Sequence, residues 1–388
     1  MSNKNLKPYL LKPKAPLIIR SGRPFDEISG IDAARFPPPS TMAGALRTAH
    51  ALSTNKELNL ELAKIQVAGP LPVTVNLDGE PVSILVPKPA DAHYYYKEGL
   101  PQLVRASPKA FASHEGSDLK DGLLPLQLEE NFSGKPFRGG PEWWVLDDLI
   151  TWRQNKTALS FEQIQQQGWK LPADDIRTHT AINRKSQTAA SGMLFQSAGL
   201  NMWKQSAVSS HPPEFSIGLL GYIDGDINPG VLHFGGERRL SGIASYPNIS
   251  SQLQNDVWLE KWFADISQSQ GLALTLLTPA LFDQGWIPGW LNETTLIGTP
   301  PGCSRLKLKL KAAAVERWRP HSGWDLNARG SRASKKAVPA GATYWFEILD
   351  NHNADIASLW LSHLCDKEQD RLDGFGLALV FPYRWASE

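Results

Sequence analysis

Side chains able to hold an anion gather in four stretches of this chain. The densest is Arg177-Thr178-His179-Thr180-Ala181-Ile182-Asn183-Arg184-Lys185-Ser186-Gln187-Thr188, twelve positions crowded with hydroxyl, amide and cationic groups. Such donors hold phosphates and 2′-hydroxyls, which makes His179, Asn183, Arg184, Lys185 and Thr188 candidate RNA contacts. A solvated hairpin end has the same composition. Gly235-Gly236-Glu237-Arg238-Arg239 pairs glycines, whose backbone N–H groups lie open, with two arginines able to grip a phosphate through two parallel hydrogen bonds. The Gly-Lys-Ser/Thr ending of a Walker loop is missing, and a plain surface turn is the simpler reading.

The third stretch joins Arg20 and Arg23 to Ser40-Thr41-Met42-Ala43-Gly44-Ala45-Leu46-Arg47. A helix beginning at Ser40 or Thr41 would present free N–H groups and cap hydroxyls to an anion, with Gly44 permitting close backbone approach. A capped core helix is the plainer alternative. The fourth is Asp373-Gly374-Phe375-Gly376, with Arg371 beside it, where the glycines permit a tight turn. Catalytic signals are sparse: HExxH, GxSxG and EF-hand patterns are missing. His179 as base with Lys185 beside a phosphorane would suit metal-free RNA cleavage. Asp147-Asp148 makes a poor acid/base pair, because adjacent helical residues diverge.

A broader charge feature lies between Arg305 and Lys336, where ten Lys or Arg residues meet two acids in a chain of net charge +1. Its first part, Arg305 to Lys311, alternates cation and leucine. On a strand this sends the leucines to one face and the cations to the other. A cation row on a rigid sheet suits a polyanion, and Lys335 and Lys336 extend it. An ordinary amphipathic strand shows the same pattern.

These groups need a folded scaffold, and 41% hydrophobic with 20% charged residues describes a globular chain. Its 388 residues make two domains the default. Two cysteines, Cys303 and Cys365, with no CxxC spacing, fit a reducing cytoplasm and give no zinc knuckle. The opening MSNKNLKPYLLKPK lacks a continuous apolar run, so no secretory signal is expected. Gly271 to Leu291 is broken by Pro279, Asp283 and Pro288, so no membrane span is expected.

The elements follow from periodicity and turn signals. Leu17 to Ile19 reads as a strand, Met42 to Leu52 as an Ala-rich helix, and Ile65 to Val67 and Val73 to Leu77 as strands. Asp78-Gly79 is a hairpin turn returning along Val82 to Val86. Pro87 to Gly140 lacks periodicity and reads as a long surface insertion. Trp143 to Asn155 predicts a helix, and the polar stretch Gln163 to Asp175 a boundary. Beyond it, Arg177 to Asn183, Phe215 to Ile223, Leu272 to Leu277, Ala342 to Leu349 and Leu377 to Phe381 predict strands. Asn255 to Gln268 and Ile356 to Cys365 predict helices.

Taken in order, PLIIRSGRPF, PPPSTMAGALRTA, PKPADAHYYY, HTAINRKSQTAASGMLF, GGERR, SGWDL, AVPAGATYWFE and GFGLAL resemble the Cmr subunit 3 family of RAMP proteins from type III-B CRISPR effector complexes. The resemblance runs from Pro16 to Leu379. It implies an α+β fold of two ferredoxin-like (RRM/RAMP-type) domains with long loop and hairpin insertions. Residues 1–165 would form the first, with its insertion at about 87–140, and 176–388 the second, with a glycine-rich loop at 374–376. It also implies a non-catalytic, cofactor-free subunit that grips the 5′ repeat-derived tag of the crRNA. Its partners would be the large palm-domain signature subunit and the backbone RAMP subunit. Gly374, Phe375 and Gly376 look like the loop usually placed against RNA, and HTAINRKSQTA like the RNA-facing segment. Either Pro87 to Gly140 or Met193 to His211 would hold a thumb-like hairpin. Trp318, Trp324, Tyr344 and Phe375 are candidate base stackers. A metal-independent RAMP endoribonuclease processing precursor crRNA is the alternative on the same fold.

Overall fold

Alternating side chains on seven residues, KPYLLKP, set the centre of the first sheet. In the strand Lys7–Pro13, Leu10 faces one way and Tyr9 and Leu11 the other, all buried. The computed structural model describes residues 6–19, 33–112, 114–129, 134–154, 159–204, 215–254, 256–325, 330–331, 333–350 and 353–385. The chain is mixed α and β, and strand outweighs helix.

The first sheet runs, in spatial order, Gly230–His233, Leu240–Ser245, Lys7–Pro13, Phe215–Ile223, Val67–Val75, Pro81–Pro87 and Trp143–Val145, with Trp203–Lys204 also paired to Phe215–Ile223. The second runs Ile297–Gly298, Lys307–Ala314, Thr343–Asp350, Gly271–Leu276, Leu377–Pro382 and Ser362–His363. In both sheets the four principal strands, numbered along the chain, lie side by side as 4-1-3-2. All pairings along these sheets are antiparallel.

The helix Pro39–Ser53 covers one face of the first sheet, its Met42, Ala43 and Leu46 packing with Leu11, Ile217 and Leu219. The opposite face, including Leu10, Leu71, Val73 and Leu220, belongs to one core continuous with the second sheet. The helix Asp256–Ser269 lies on that second sheet, where Trp262 Nε1 donates to Val380 O at 2.9 Å. A buried ion pair joins the two regions. Arg153 donates to both Asp91 oxygens and to Thr343 on the second sheet, and the Trp152 indole also donates to Asp91. Among the described residues, no helix is long and apolar enough to cross a membrane.

Several expectations change here. Leu17–Ile19 is not a strand; Leu17 makes a single bridge to Leu200. The two strands expected at 65–67 and 73–77 are one, Val67–Val75, which carries two prolines. Its pairing with Phe215–Ile223 shifts register between Leu220 and Tyr222, the kind of irregularity where proline is accepted in a sheet. The Asp78-Gly79 turn is present, with Gly79 at φ +85° and its N–H donating to Asn76 O at 3.0 Å. The expected insertion contains a sheet of its own, Ala92–Lys97, Leu100–Pro108 and Leu126–Leu128. Trp143 and Trp144 lie in a strand, and the helix begins at Leu146. Gln163 to Gln167 belongs to the helix Phe161–Gln167, whose cap is Ser160. The first sheet takes strands from both sides of residues 165–176, whereas every strand of the second lies after residue 270. The helix expected at 356–365 ends at Ser358, and Ser362–His363 is a strand.

Candidate nucleic-acid interface

The stretch richest in polar groups forms the tip and one arm of a separate hairpin. Asp175–Ile182 pairs with Ala189–Gly199, and the two make a two-stranded sheet of their own. Asn183 shapes the turn: its Oδ1 accepts from Lys185 N at 2.9 Å, and its N–H donates to Thr188 O at 2.8 Å. The Thr188 hydroxyl lies 2.8 Å from that of Ser186, and Gln187 takes φ +59°. Asn183 and Thr188 therefore build the turn, and Arg184 and Lys185 stand exposed at its tip.

Alternation divides the hairpin into two faces. One carries Arg177, His179, Phe195 and Ser197; the other Ile176, Thr178, Leu194 and Gln196. His179 stacks on Phe195 with ring centres 5.2 Å apart and planes inclined by 18°. Its Nε2 lies 2.9 Å from Ser197 Oγ. Phe195 remains 44% exposed, which leaves aromatic surface free to take a base. Asp175, through a hydrogen bond, and more distantly Glu237 hold the exposed Arg177 guanidinium above its ordinary pKa. The Gly235–Arg239 turn thus lies within electrostatic reach of the hairpin foot.

That foot is tied to the segment following the first strand. Leu17 and Leu200 exchange two backbone hydrogen bonds, at 2.8 and 2.7 Å, and Gly236 N donates to Ile18 O at 2.6 Å. Gly235 sits at φ +84°, and a Cβ there would meet Ile18 O at 2.9 Å. The paired glycines are therefore needed for the approach of Ile18, which corrects their reading as an anion cradle. Arg238 is exposed at φ +53°, with its carbonyl accepting from His233 Nδ1 at 3.1 Å. Arg239 lies 3.6 Å from Glu237 and is largely covered. Ala34 N donates to Asp174 Oδ2 at 3.0 Å, so the chain on both sides of residues 20–32 meets this foot. Arg20 and Arg23 themselves lie outside the described residues.

A second group of expected contacts is internal. Pro38 occupies the cap position of Pro39–Ser53 without a side-chain hydrogen bond, so Ser40 and Thr41 are half-buried first-turn residues, not caps. Space opens around Gly44 instead of a close backbone. Arg47 is buried: it pairs with Asp373 at 2.5 Å and donates to Ile65 O and Leu372 O. Gly374 and Gly376 adopt φ +93° and +70°, and Cβ atoms there would meet Gly69 O at 3.1 Å and Cys365 Sγ at 2.8 Å. Phe375 is 2% exposed. The glycine loop thus packs inside the molecule, and no RNA reaches it in this conformation. Arg371 holds Cys365 O and Asp366 O, each at 2.7 Å, and Lys335 pairs with Asp370 at 2.9 Å. These cations are also structural.

The Lys ladder keeps its alternation, with Leu306, Leu308 and Leu310 buried. Its cations face acids on the neighbouring strand: Lys309 is in register with Glu347 and Lys307 with Asp350, and Lys311 lies 4.0 Å from Glu347. Glu347 and Asp350 offset part of the row's charge, which makes it less open to a polyanion than expected. Among the expected stackers Tyr344 is buried, its OH donating to Trp286 O at 2.7 Å, while Trp318 is 47% exposed. The Trp324 side chain lies outside the described residues.

A family model described as CRISPR-associated protein (Cas_Cmr3) matches residues 9–383. The chain belongs to the Cas_Cmr3 family. Two solved structures resemble it. One is a cryo-EM structure of the type III-B Cmr-beta bound to cognate target RNA, with 14% identity and TM-score 0.47 over 87% of this chain and 86% of that one. The other is the same complex with cognate target RNA and AMPPnP in state 1, with 13% identity and TM-score 0.46 over the same shares. No curated protein matches the chain.

The structure brings the hairpin foot and the Gly235–Arg239 turn together over the buried segment Leu17–Ile19. The Pro39–Ser53 helix start and the glycine loop meet elsewhere, where a Cβ on Gly374 would lie 3.4 Å from Pro39. The sequence marks Arg177 only as part of the polar stretch and gives no sign of Phe195. Period-two alternation places Arg177 beside His179 on one face, but nothing local pairs Phe195 with His179; that takes the register across the turn.

Proposed function

We propose that this chain is a non-catalytic RNA-binding subunit of a type III-B CRISPR (Cmr) effector complex. In this reading it grips the 5′ repeat-derived tag of the crRNA and bridges the large palm-domain subunit to the backbone filament in antiviral defence. The observation that carries the reading is the projecting hairpin, with Arg184 and Lys185 at its tip and the His179–Phe195 stack on one face. Cations there take phosphates, and the exposed ring takes an unpaired base. The shared 4-1-3-2 strand order supports two ferredoxin-like units as the scaffold. Of the two segments expected to hold the thumb, Met193 to His211 overlaps this hairpin from Met193 to Gly199, which supports reading the hairpin as the thumb.

Binding fits this surface better than cleavage. His179 lies mid-strand, engaged by Ser197 and Phe195, whereas Lys185 lies in the turn. Purified protein incubated with repeat RNA in the absence of metal is expected to release no product. The direct test is Arg184→Glu with Lys185→Glu, and separately Arg238→Glu with Arg239→Glu, titrated with an RNA that begins with the tag. Weakening of about tenfold or more is expected, with the salt slope reduced by about 0.7 per lost phosphate contact. Parent-like binding by both variants would refute the assignment.

A further inference from the structure

The basic window holds a second projecting ribbon that the tag-binding surface does not use. Arg319–His321 pairs with Lys335–Ala337, in register Arg319 to Ala337, Pro320 to Lys336 and His321 to Lys335. One side turns inward: His321 packs edge-on against Phe375 with ring centres 4.8 Å apart, and Lys335 reaches Asp370. The other side is open. Trp318 is 47% exposed, and the Lys336 ammonium lies 5.3 Å from its ring centre. Arg317 and Arg319 flank Trp318 in the chain and are exposed, with Arg319 alternating onto the ribbon face that carries His321. Neither makes an ion pair with another described residue, whereas Glu316 next to them is drawn off by Lys88 at 3.7 Å. Among the described residues, the charge compensation that silences Arg47, Arg153, Lys311 and Lys335 is therefore lacking here.

An exposed indole among uncompensated cations is the arrangement that holds a single strand. Any base can stack on the indole, and the cations track the backbone without reading sequence. We infer that Trp318, Lys336, Arg317 and Arg319 form a second, sequence-tolerant site for single-stranded RNA, distinct from the hairpin surface. A duplex buries its base faces, so the indole selects unpaired RNA. An acidic peptide would engage the same cations and is the competing occupant that the test separates. The inference shares with the tag-binding reading only the class of ligand.

The test uses the full chain and a fluorescent oligouridine of about a dozen nucleotides, which carries no tag sequence. The background is Arg184→Glu with Lys185→Glu, so that the ribbon is read without the hairpin tip. Oligouridine is expected to bind this background, and Trp318→Ala to weaken it about tenfold. Trp318→Phe should retain most of the binding, and Arg317→Ser with Arg319→Ser should lower the salt slope by about 1.4. Because Trp318 and both arginines are exposed, unchanged melting temperatures are expected and serve as the folding control. The inference is overturned if the background variant fails to bind oligouridine or if both ribbon variants bind like it. It is equally overturned if polyglutamate competes as well as oligouridine, since the site would then be one for acidic peptide. Loss at the ribbon together with parent-like binding of tag RNA by the hairpin-tip variant would sink the tag-binding surface and leave the ribbon standing.

Discussion

In the proposed function, base recognition turns on Phe195, because its ring is exposed while its position is fixed by His179. Phe195→Ala should weaken single-stranded RNA binding about tenfold, since one base–aromatic stack contributes ~1–3 kcal/mol. Phe195→Tyr should bind as the parent does, and both variants should melt normally; an anisotropy titration with a melting curve checks this. Arg47 shows the opposite behaviour. Its removal strands Asp373, whose carboxylate is nearly covered, and should cost about 3 kcal/mol of stability with no direct loss of an RNA contact. Denaturant unfolding of Arg47→Ala measures that cost. His363 supplies the pH dependence. Burial holds its imidazole at about 4, well below the ordinary value, and Nδ1 donates to Phe375 O at 3.0 Å. The unfolded chain therefore binds a proton that the folded chain refuses. The stability from the neutral ring is complete above about pH 6.5 and is lost as pH falls towards 4. Melting temperature should drop between pH 7 and pH 5, and His363→Gln should flatten that part of the profile.

At the scale of elements, the hairpin is separable. Among the described residues, its strands pair with each other alone and join the body through the Leu17–Leu200 bridge, so neither large sheet depends on them. Replacing 176–198 by a short glycine turn should leave the melting temperature within a few degrees of the parent and abolish tag binding; calorimetry and titration on one preparation test both. Elements governed by local pattern were legible in the sequence. Phe215–Ile223 was read to the residue, and Asp256–Ser269 to within one at each end, because each carries its own apolar period. Lys7–Pro13 was not legible, since prolines and lysines conceal a central strand that only its two neighbours identify. Ala92–Lys97 was hidden by its tyrosine run, in which Tyr94 is buried and Tyr96 exposed although the residue type is the same.

Over the whole molecule, the expected contacts divide according to long-range packing. The hairpin tip could be read from composition, because exposed polar donors advertise themselves. The burial of Gly374–Gly376 could not, because it follows from Gly69, some three hundred residues earlier in the chain, and from the Arg47–Asp373 pair. Glycine loops look alike in sequence whether they face a ligand or another strand. The same packing leaves the hairpin and the basic ribbon as the outer surfaces to which the proposals assign RNA. The most direct measurement is photo-crosslinking of the assembled complex carrying a guide with a photoreactive base in its tag, followed by peptide mapping. Crosslinks should fall within residues 177–197, centred on Phe195 and the Arg184-Lys185 tip. A tag that crosslinks to this chain only through Gly374–Gly376, or not at all, would contradict the account.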